Sequence, residues 1–293
     1  MLRWRLLLGA VLIAALVGLA RLDFTSAAPG AWLLPLAMLV GLGAAHEMAT
    51  LLAQAGYQPL PGVIYGGTLL VIASNSIPLF VLRPPDDQPA ERLGWPLLAF
   101  ALVVLWAFIG EMSRYRKPGG VTVNVALGTL AVAYVGLLLS LVAQLRGLGG
   151  PVTGMMNLMA LIVVVKAADI GAYTVGRLFG RHKMAPVLSP GKTIEGAAGA
   201  LAFACLGAWF SFTYLPLWLG CNPPQRPLGW LFYGLAVGGA GLLGDLAESL
   251  LKRDLGTKDS STWMPGFGGV LDLVDSILFA APVAYLCTIM QIT

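Results

Sequence analysis

The chain has 293 residues, of which 58% are hydrophobic and only 11% charged, and its formal net charge is +4. Soluble domains carry about 25% charged residues, so a soluble globular enzyme, a nucleic-acid binder and a disordered tail are all excluded. What remains is an all-α polytopic membrane protein, since a span needs ~20 apolar residues in a row.

Nine apolar segments meet that length, near residues 4–21, 31–50, 62–83, 94–112, 121–145, 152–175, 196–217, 228–250 and 269–290. The first could also be read as a cleavable signal, with Arg3 and Arg5 ahead of an apolar run and Thr25-Ser26-Ala27-Ala28 behind it, but the run is long for one. Lys and Arg then set the orientation. With the N-terminus in the cytoplasm, that side receives Arg3, Arg5, Arg114, Arg116, Lys117, Arg177, Arg181, Lys183, Lys192, Lys252, Arg253 and Lys258. The other side receives Arg21, Arg83, Arg92, Arg146 and Arg226, and Lys166 lies within a span. Nine spans with the C-terminus on the opposite side satisfy this bias.

Residues 1–150 look like scaffold helices of Leu, Ala and Val. Glu47 and Glu111 stand near helix ends there, and a solvated or snorkelling carboxylate is the expectation for each. Residues 151–293 are different. Polar residues enter the spans, and two cytoplasmic loops, 177–195 and 251–268, are dense in Gly, Pro, Lys and Ser.

In the sixth segment Lys166, Asp169 and Tyr173 share a helix face. They form either a self-neutralising Lys166–Asp169 pair or the wall of a polar cavity, with Arg177, Arg181 and Lys183 as an anion trap below it. The loop continues Ser189-Pro190-Gly191-Lys192-Thr193-Ile194-Glu195-Gly196. This is not a nucleotide-binding P-loop, because Pro186 stands where that motif needs Gly. Ser189, Thr193 and the free N–H groups of a helix starting at Thr193–Gly196 still make a phosphate cradle, with Lys192 as a point charge.

Asp245, Glu248, Ser249 and Lys252 again share one face, followed by Arg253 and Lys258. The turn Pro265-Gly266-Phe267-Gly268-Gly269 leads into a last helix carrying Asp272 and Asp275 one turn apart. Carboxylates at the edge of a hydrocarbon layer normally face a partner, a metal or a water-filled cavity. Asp245, Asp272 and Asp275 held together repel, so they make sense mainly around a cation. The bland alternative is a pair of helix-capping acids at a positive helix end. With His46 and His182 the only histidines, and Cys205, Cys221 and Cys287 in no metal-binding pattern, oxygen ligands and hence Mg²⁺ or Mn²⁺ are expected.

At these residues the chain resembles the phosphatidate cytidylyltransferases, or CDP-diacylglycerol synthases. The matching motifs are Ser249-Leu250-Leu251-Lys252-Arg253, Lys258-Asp259, Pro265-Gly266-Phe267-Gly268-Gly269 and Asp272-Leu273-Val274-Asp275, with the upstream stretch Asp169–Gly196. Phe267 stands where that family has His, and Leu273 where it has Arg. The resemblance implies that CTP and phosphatidate react, with Mg²⁺, to give CDP-diacylglycerol and pyrophosphate at the cytoplasmic face of a bacterial inner membrane. It also implies a homodimer and no nucleic-acid partner.

Mapped onto this chemistry, Asp245, Asp272 and Asp275 would bind metal, as a one- or two-cation site. Lys252, Arg253, Lys258 and Lys192 would bind the triphosphate. Ser249, Ser189 and Thr193 would hydrogen-bond phosphate oxygens, Arg177 and Lys183 would attract the lipid headgroup, and Asp169 would support the cavity or the second cation. The competing expectations are a family member acting on another lipid phosphate, a secondary transporter and an inert membrane scaffold.

Overall fold

A computed structural model describes residues 2–82, 89–220, 226–257, 261 and 268–292, with the side chains of residues 2–8, 89 and 90 outside the description. Ten α-helices follow in order: α1 Leu2–Thr25, α2 Leu33–Gln54, α3 Pro61–Ala73, α4 Pro89–Arg114, α5 Val121–Ala131, α6 Leu138–Gly147, α7 Gly150–Phe179, α8 Ile194–Leu219, α9 Gly229–Asp254 and α10 Val270–Ile289. A π-helical stretch Ile77–Val81 extends α3, and another, Val132–Leu137, joins α5 to α6. The segments that meet the length and hydropathy of a span number eight among the described residues, α2 onward, with α5 and α6 forming one. The segment before them, α1, is helical as well. The protein is an all-α polytopic membrane protein.

Among the described residues one β-hairpin interrupts the helices. Lys183–Ala185 (β1) and Ser189–Thr193 (β2) form an antiparallel hairpin, pairing Lys183 with Thr193 and Ala185 with Ser189. Ile194 N–H extends it by donating to His182 O at 2.9 Å. The segment read from sequence as a loop is therefore ordered by backbone bonds before α8 begins.

The chain divides into two compact units, residues 1–144 with 254–273, and residues 145–253 with 274–293. The division runs through α10. In the first unit, Val63, Val71, Ala99, Val103, Ala107, Val125 and Val132 form a core. Beside it lies a buried polar chain. Asn75 Nδ2 donates to Ser140 Oγ at 3.0 Å, and Gln144 Nε2 donates both to Asn75 Oδ1 at 2.9 Å and to the Arg92 carbonyl at 2.8 Å. Hydrocarbon offers no competing water, so such amides must find partners within the protein. Asp23 is likewise buried, and its carboxylate accepts from the N–H groups of Gly30, Trp32 and Leu33. That contact ties the α1–α2 turn.

In the second unit small residues bring helices together. A Cβ on Gly171 of α7 would fall 2.5 Å from the Gly199 carbonyl of α8, and one on Gly199 would fall 2.5 Å from Val175. Only glycine permits that backbone approach, as at small-residue interfaces between membrane helices generally.

Candidate active site

The hairpin is anchored at both ends. Thr193 is the N-cap of α8: its Oγ1 accepts from Gly196 N–H at 3.1 Å, as its place before an apolar helix predicts. Glu195, in the first turn, turns back over the hairpin. Its carboxylate accepts from the N–H of Arg181 at 3.0 Å and of His182 at 3.2 Å, and meets His182 Nδ1 at 2.6 Å. The sequence reading gave Glu195 no role, although an acid in a first helical turn next to a basic loop is the signal that could have found it.

The pinned hairpin carries Lys192, whose Nζ lies 2.8 Å from Asp245 Oδ1 on α9. One turn on, Glu248 is buried and pairs with Lys252 at 3.1 Å. Arg253 Nε donates to the Leu188 carbonyl at 3.4 Å, which ties the end of α9 to the hairpin turn. Asp275 on α10 is buried, with the carboxyl groups of Glu248 and Asp245 near enough to act on it electrostatically.

Glycine again makes this possible. A Cβ on Gly244 would lie 2.6 Å from the Asp275 carbonyl and 3.1 Å from Ser276 Cα. The bare backbone at Gly244 thus lets α10 approach α9 where Asp245 and Glu248 project. Three carboxyl groups and two lysines gather in the second unit: Asp245, Glu248, Asp275, Lys192 and Lys252. Glu248 was noted in the sequence only as company for the aspartates.

Other expected residues lie outside these lysine–carboxylate pairs, although Lys166 is near enough to act on Asp275 electrostatically. Lys166 and Asp169 form the i,i+3 pair at 3.0 Å, each about two-fifths exposed, which is the self-neutralising arrangement. Arg177 Nη1 donates to Tyr173 Oη at 2.6 Å and stacks over that ring. Lys183 is exposed on β1, while Ser189 on β2 and Ser249 on α9 are half-buried. Lys258, Phe267 and Cys221 lie outside the described residues.

Asp272, in the first unit, is a helix-capping acid. Its Oδ2 accepts from Gly269 N–H at 2.8 Å, at a turn where Gly268 has φ +82° and a Cβ would collide with that same oxygen at 2.4 Å. Asp272 thus caps the start of its own helix through Oδ2 in this geometry.

The expectation for Glu47 and Glu111 is corrected. Both are buried, at 4% and 3% exposure. Glu111 is held by Arg114, whose Nε donates to Oε2 at 2.9 Å. The Glu47 carboxylate accepts from Val270 N–H and Leu271 N–H, each at 2.8 Å. A local view of the sequence sees one charge near a helix end and supplies water for it; the true partner is 223 residues away.

Among the described residues no three acidic, His or Cys side chains close on one point as a finished metal cage. The donor set is nonetheless all oxygen, which suits a hard divalent cation. At present ammonium groups stand against the carboxylates a cation would need.

Carboxylates and lysines gathered at the end of membrane helices, beside a cationic hairpin, define a membrane-embedded protein that handles phosphate. Residues 6–290 match the Cytidylyltransferase family. A protein of Mycobacterium bovis named phosphatidate cytidylyltransferase is 30% identical over 295 residues, covering 94% of this chain and 86% of the relative. One of the same name from Bacillus subtilis is 37% identical over 244 residues, 74% of this chain and 87% of the relative. A third, from Synechocystis, is 40% identical over 137 residues, 45% of this chain and 43% of the relative. The chain belongs to the cytidylyltransferase family, and these comparisons do not favour the transporter or scaffold expectations.

Proposed function

We propose that this chain transfers CMP from CTP to phosphatidate, giving CDP-diacylglycerol and pyrophosphate. The observation that carries this reading is the pairing of Lys192 with Asp245, at 2.8 Å, beside Glu248 and Asp275. It places a motif lysine and motif carboxylates on one patch, inside a chain matched to the family over nearly its whole length.

The reaction asks a phosphate monoester oxygen of the lipid to attack the α-phosphorus of CTP. A new P–O bond forms as the α–β P–O bond breaks, and the electron pair leaves with pyrophosphate. Such transfers depend on positioning and charge neutralisation more than on covalent chemistry by the protein. No general base is required, because the acceptor is already anionic near neutral pH. Lys192, Lys252 and Arg253 neutralise the triphosphate and the departing pyrophosphate. Their present partners (Asp245, Glu248 and the Leu188 carbonyl) hold them ready without immobilising them in apolar surroundings. Thr193 and Ser189 offer hydroxyls, and the N–H groups opening α8 offer a positive helix end. Lys258, Ser249 and Asp169 join the substrate contacts on the motif alone.

Asp245 and Asp275 would hold Mg²⁺ and any second cation, and Asp272 is assigned to it on the motif alone. That cation would supply charge neutralisation on the reacting phosphates. Arg177 and Lys183, exposed near the hairpin, attract the anionic headgroup while the acyl chains stay in the bilayer. This reading places the hairpin side in the cytoplasm of a bacterial inner membrane, where basic loops belong, and includes the homodimer implied by the family.

The test is CMP transfer from labelled CTP to phosphatidate by detergent-purified protein, with and without Mg²⁺, beside Asp275→Asn. Metal-dependent CDP-diacylglycerol that disappears in the variant supports the reading. Full activity in Asp275→Asn removes the metal assignment, and no product from folded wild-type protein that binds CTP removes phosphatidate as acceptor.

A further inference from the structure

The first backbone N–H groups of a helix have no partner within the helix. At α10 a different helix supplies one. Both carboxylate oxygens of Glu47, on α2, accept from α10: Oε1 from Val270 N–H and Oε2 from Leu271 N–H, each at 2.8 Å. The contact is dry, with Glu47 4% exposed. It is also close. Gly43, one turn earlier on α2, faces Val270, and a Cβ there would sit 3.0 Å from Val270 Cγ2. The next N–H, that of Gly269, is taken by Asp272 Oδ2 at 2.8 Å.

From this we infer that Glu47 is a positioning residue for the reaction, acting through the first turn of α10. The inference rests on the assignment of Asp272 and Asp275 made above. Glu47 serves the N–H groups of Val270 and Leu271, while Asp272 serves that of Gly269. Glu47 also fixes the start of the helix whose first two turns carry both aspartates. Without it, the N–H groups of Val270 and Leu271 lose their carboxylate and the turn that carries Asp272 loses its anchor on α2. Glutamine at this position keeps one acceptor but points an NH₂ donor at the second N–H. One backbone group is then unserved while volume and burial are retained.

The experiment uses the full-length protein in detergent or nanodiscs. CMP transfer is measured against both Mg²⁺ and CTP concentration for wild type, Glu47→Gln, Glu47→Ala, Glu111→Gln and Asp275→Asn. Amide hydrogen exchange is followed over peptides containing 269–272. Glu47→Gln is expected to lower kcat about tenfold and Glu47→Ala on the order of a hundredfold, the scale of a misplaced catalytic group. The Mg²⁺ concentration for half-maximal rate should rise several-fold, with the KM for CTP changed by less than about twofold, and exchange at 270–271 should quicken. Glu111→Gln, an equally buried carboxylate bound to Arg114, should leave the Mg²⁺ requirement unchanged. A lesion that merely destabilised the fold would lower the active fraction and leave the Mg²⁺ requirement of the remainder untouched.

Folded Glu47→Gln with wild-type kcat and Mg²⁺ dependence, beside an inactive Asp275→Asn, overturns this inference alone. A fully active Asp275→Asn overturns the metal assignment and this inference with it.

Discussion

The polar cluster beside the core of the first unit differs in kind from the one gathered in the second. In the first, Asn75, Ser140 and Gln144 form a neutral chain closed on the carbonyls of Val71 and Arg92. In the second, the polar groups are charged and paired side chain to side chain, Lys192 with Asp245 and Lys252 with Glu248, and Asp245 stays about two-fifths exposed. Amides bonded to backbone in a dry interior have nothing better to exchange with, and they hold helices in register. Ion pairs at the rim of a site can trade one partner for another, because each ammonium binds a phosphate oxygen as readily as a carboxylate oxygen. The first pattern suits holding helices together, and the second suits the exchange that the proposed reaction requires.

Substitutions sharpen this contrast, and the largest effect should come from the site. Asp275→Asn is expected to lower CMP transfer by two or three decades, the scale of losing a metal ligand's charge stabilisation, with little change in thermal unfolding. Removing divalent cations with a chelator should abolish transfer in wild type and restore it fully on adding Mg²⁺.

Lys192→Ala should cost about one to two decades in kcat/KM for CTP, the loss of one charge-assisted phosphate contact at about 1.5–3 kcal/mol. An unchanged CTP dependence would separate Lys192 from the triphosphate. Gly244→Ala tests the helix approach. The added methyl must push α10 from α9, at about 1–3 kcal/mol, so both the unfolding midpoint and turnover should fall.

Glu195→Gln should reduce turnover by less than about tenfold, because it loosens the hairpin without touching phosphate. The smallest effect on chemistry belongs to the scaffold. Gln144→Leu should lower stability by about 1–3 kcal/mol by orphaning Asn75, read from thermal unfolding in detergent, while activity per folded molecule stays at the wild-type value. If Gln144→Leu instead changed the Mg²⁺ or CTP dependence, the division between scaffold and exchangeable site would fail.

Local periodicity made the helices legible. Hydropathy placed every long segment within a few residues, and the i,i+3 spacing of Lys166 and Asp169 foretold their pair. Thr193 was legible as a helix start because capping needs only its near neighbours. The π-helical stretches at Ile77–Val81 and Val132–Leu137 leave no such mark, since one added residue per turn does not alter composition. The hairpin was hidden because Ser189-Pro190-Gly191-Lys192-Thr193 has turn residues rather than the β-branched alternation of a strand, and its stability comes from Glu195 clamping the far side. Lys192–Asp245 and Glu47 with α10 were invisible for a shared reason: both join residues far apart in the chain, and nothing nearby announces the partner.

The cap between Glu47 and α10 also bears on how the protein is made. Synthesis runs from the N-terminus at about 5–20 residues per second. Glu47 therefore precedes Val270, 223 residues later, by on the order of tens of seconds. Throughout that interval the two hydrogen bonds that α10 donates to this buried carboxylate are still missing. Assembly is thereby ordered. A helix made late thus completes a contact on one made early, and a chain cut short before α10 lacks both of those hydrogen bonds.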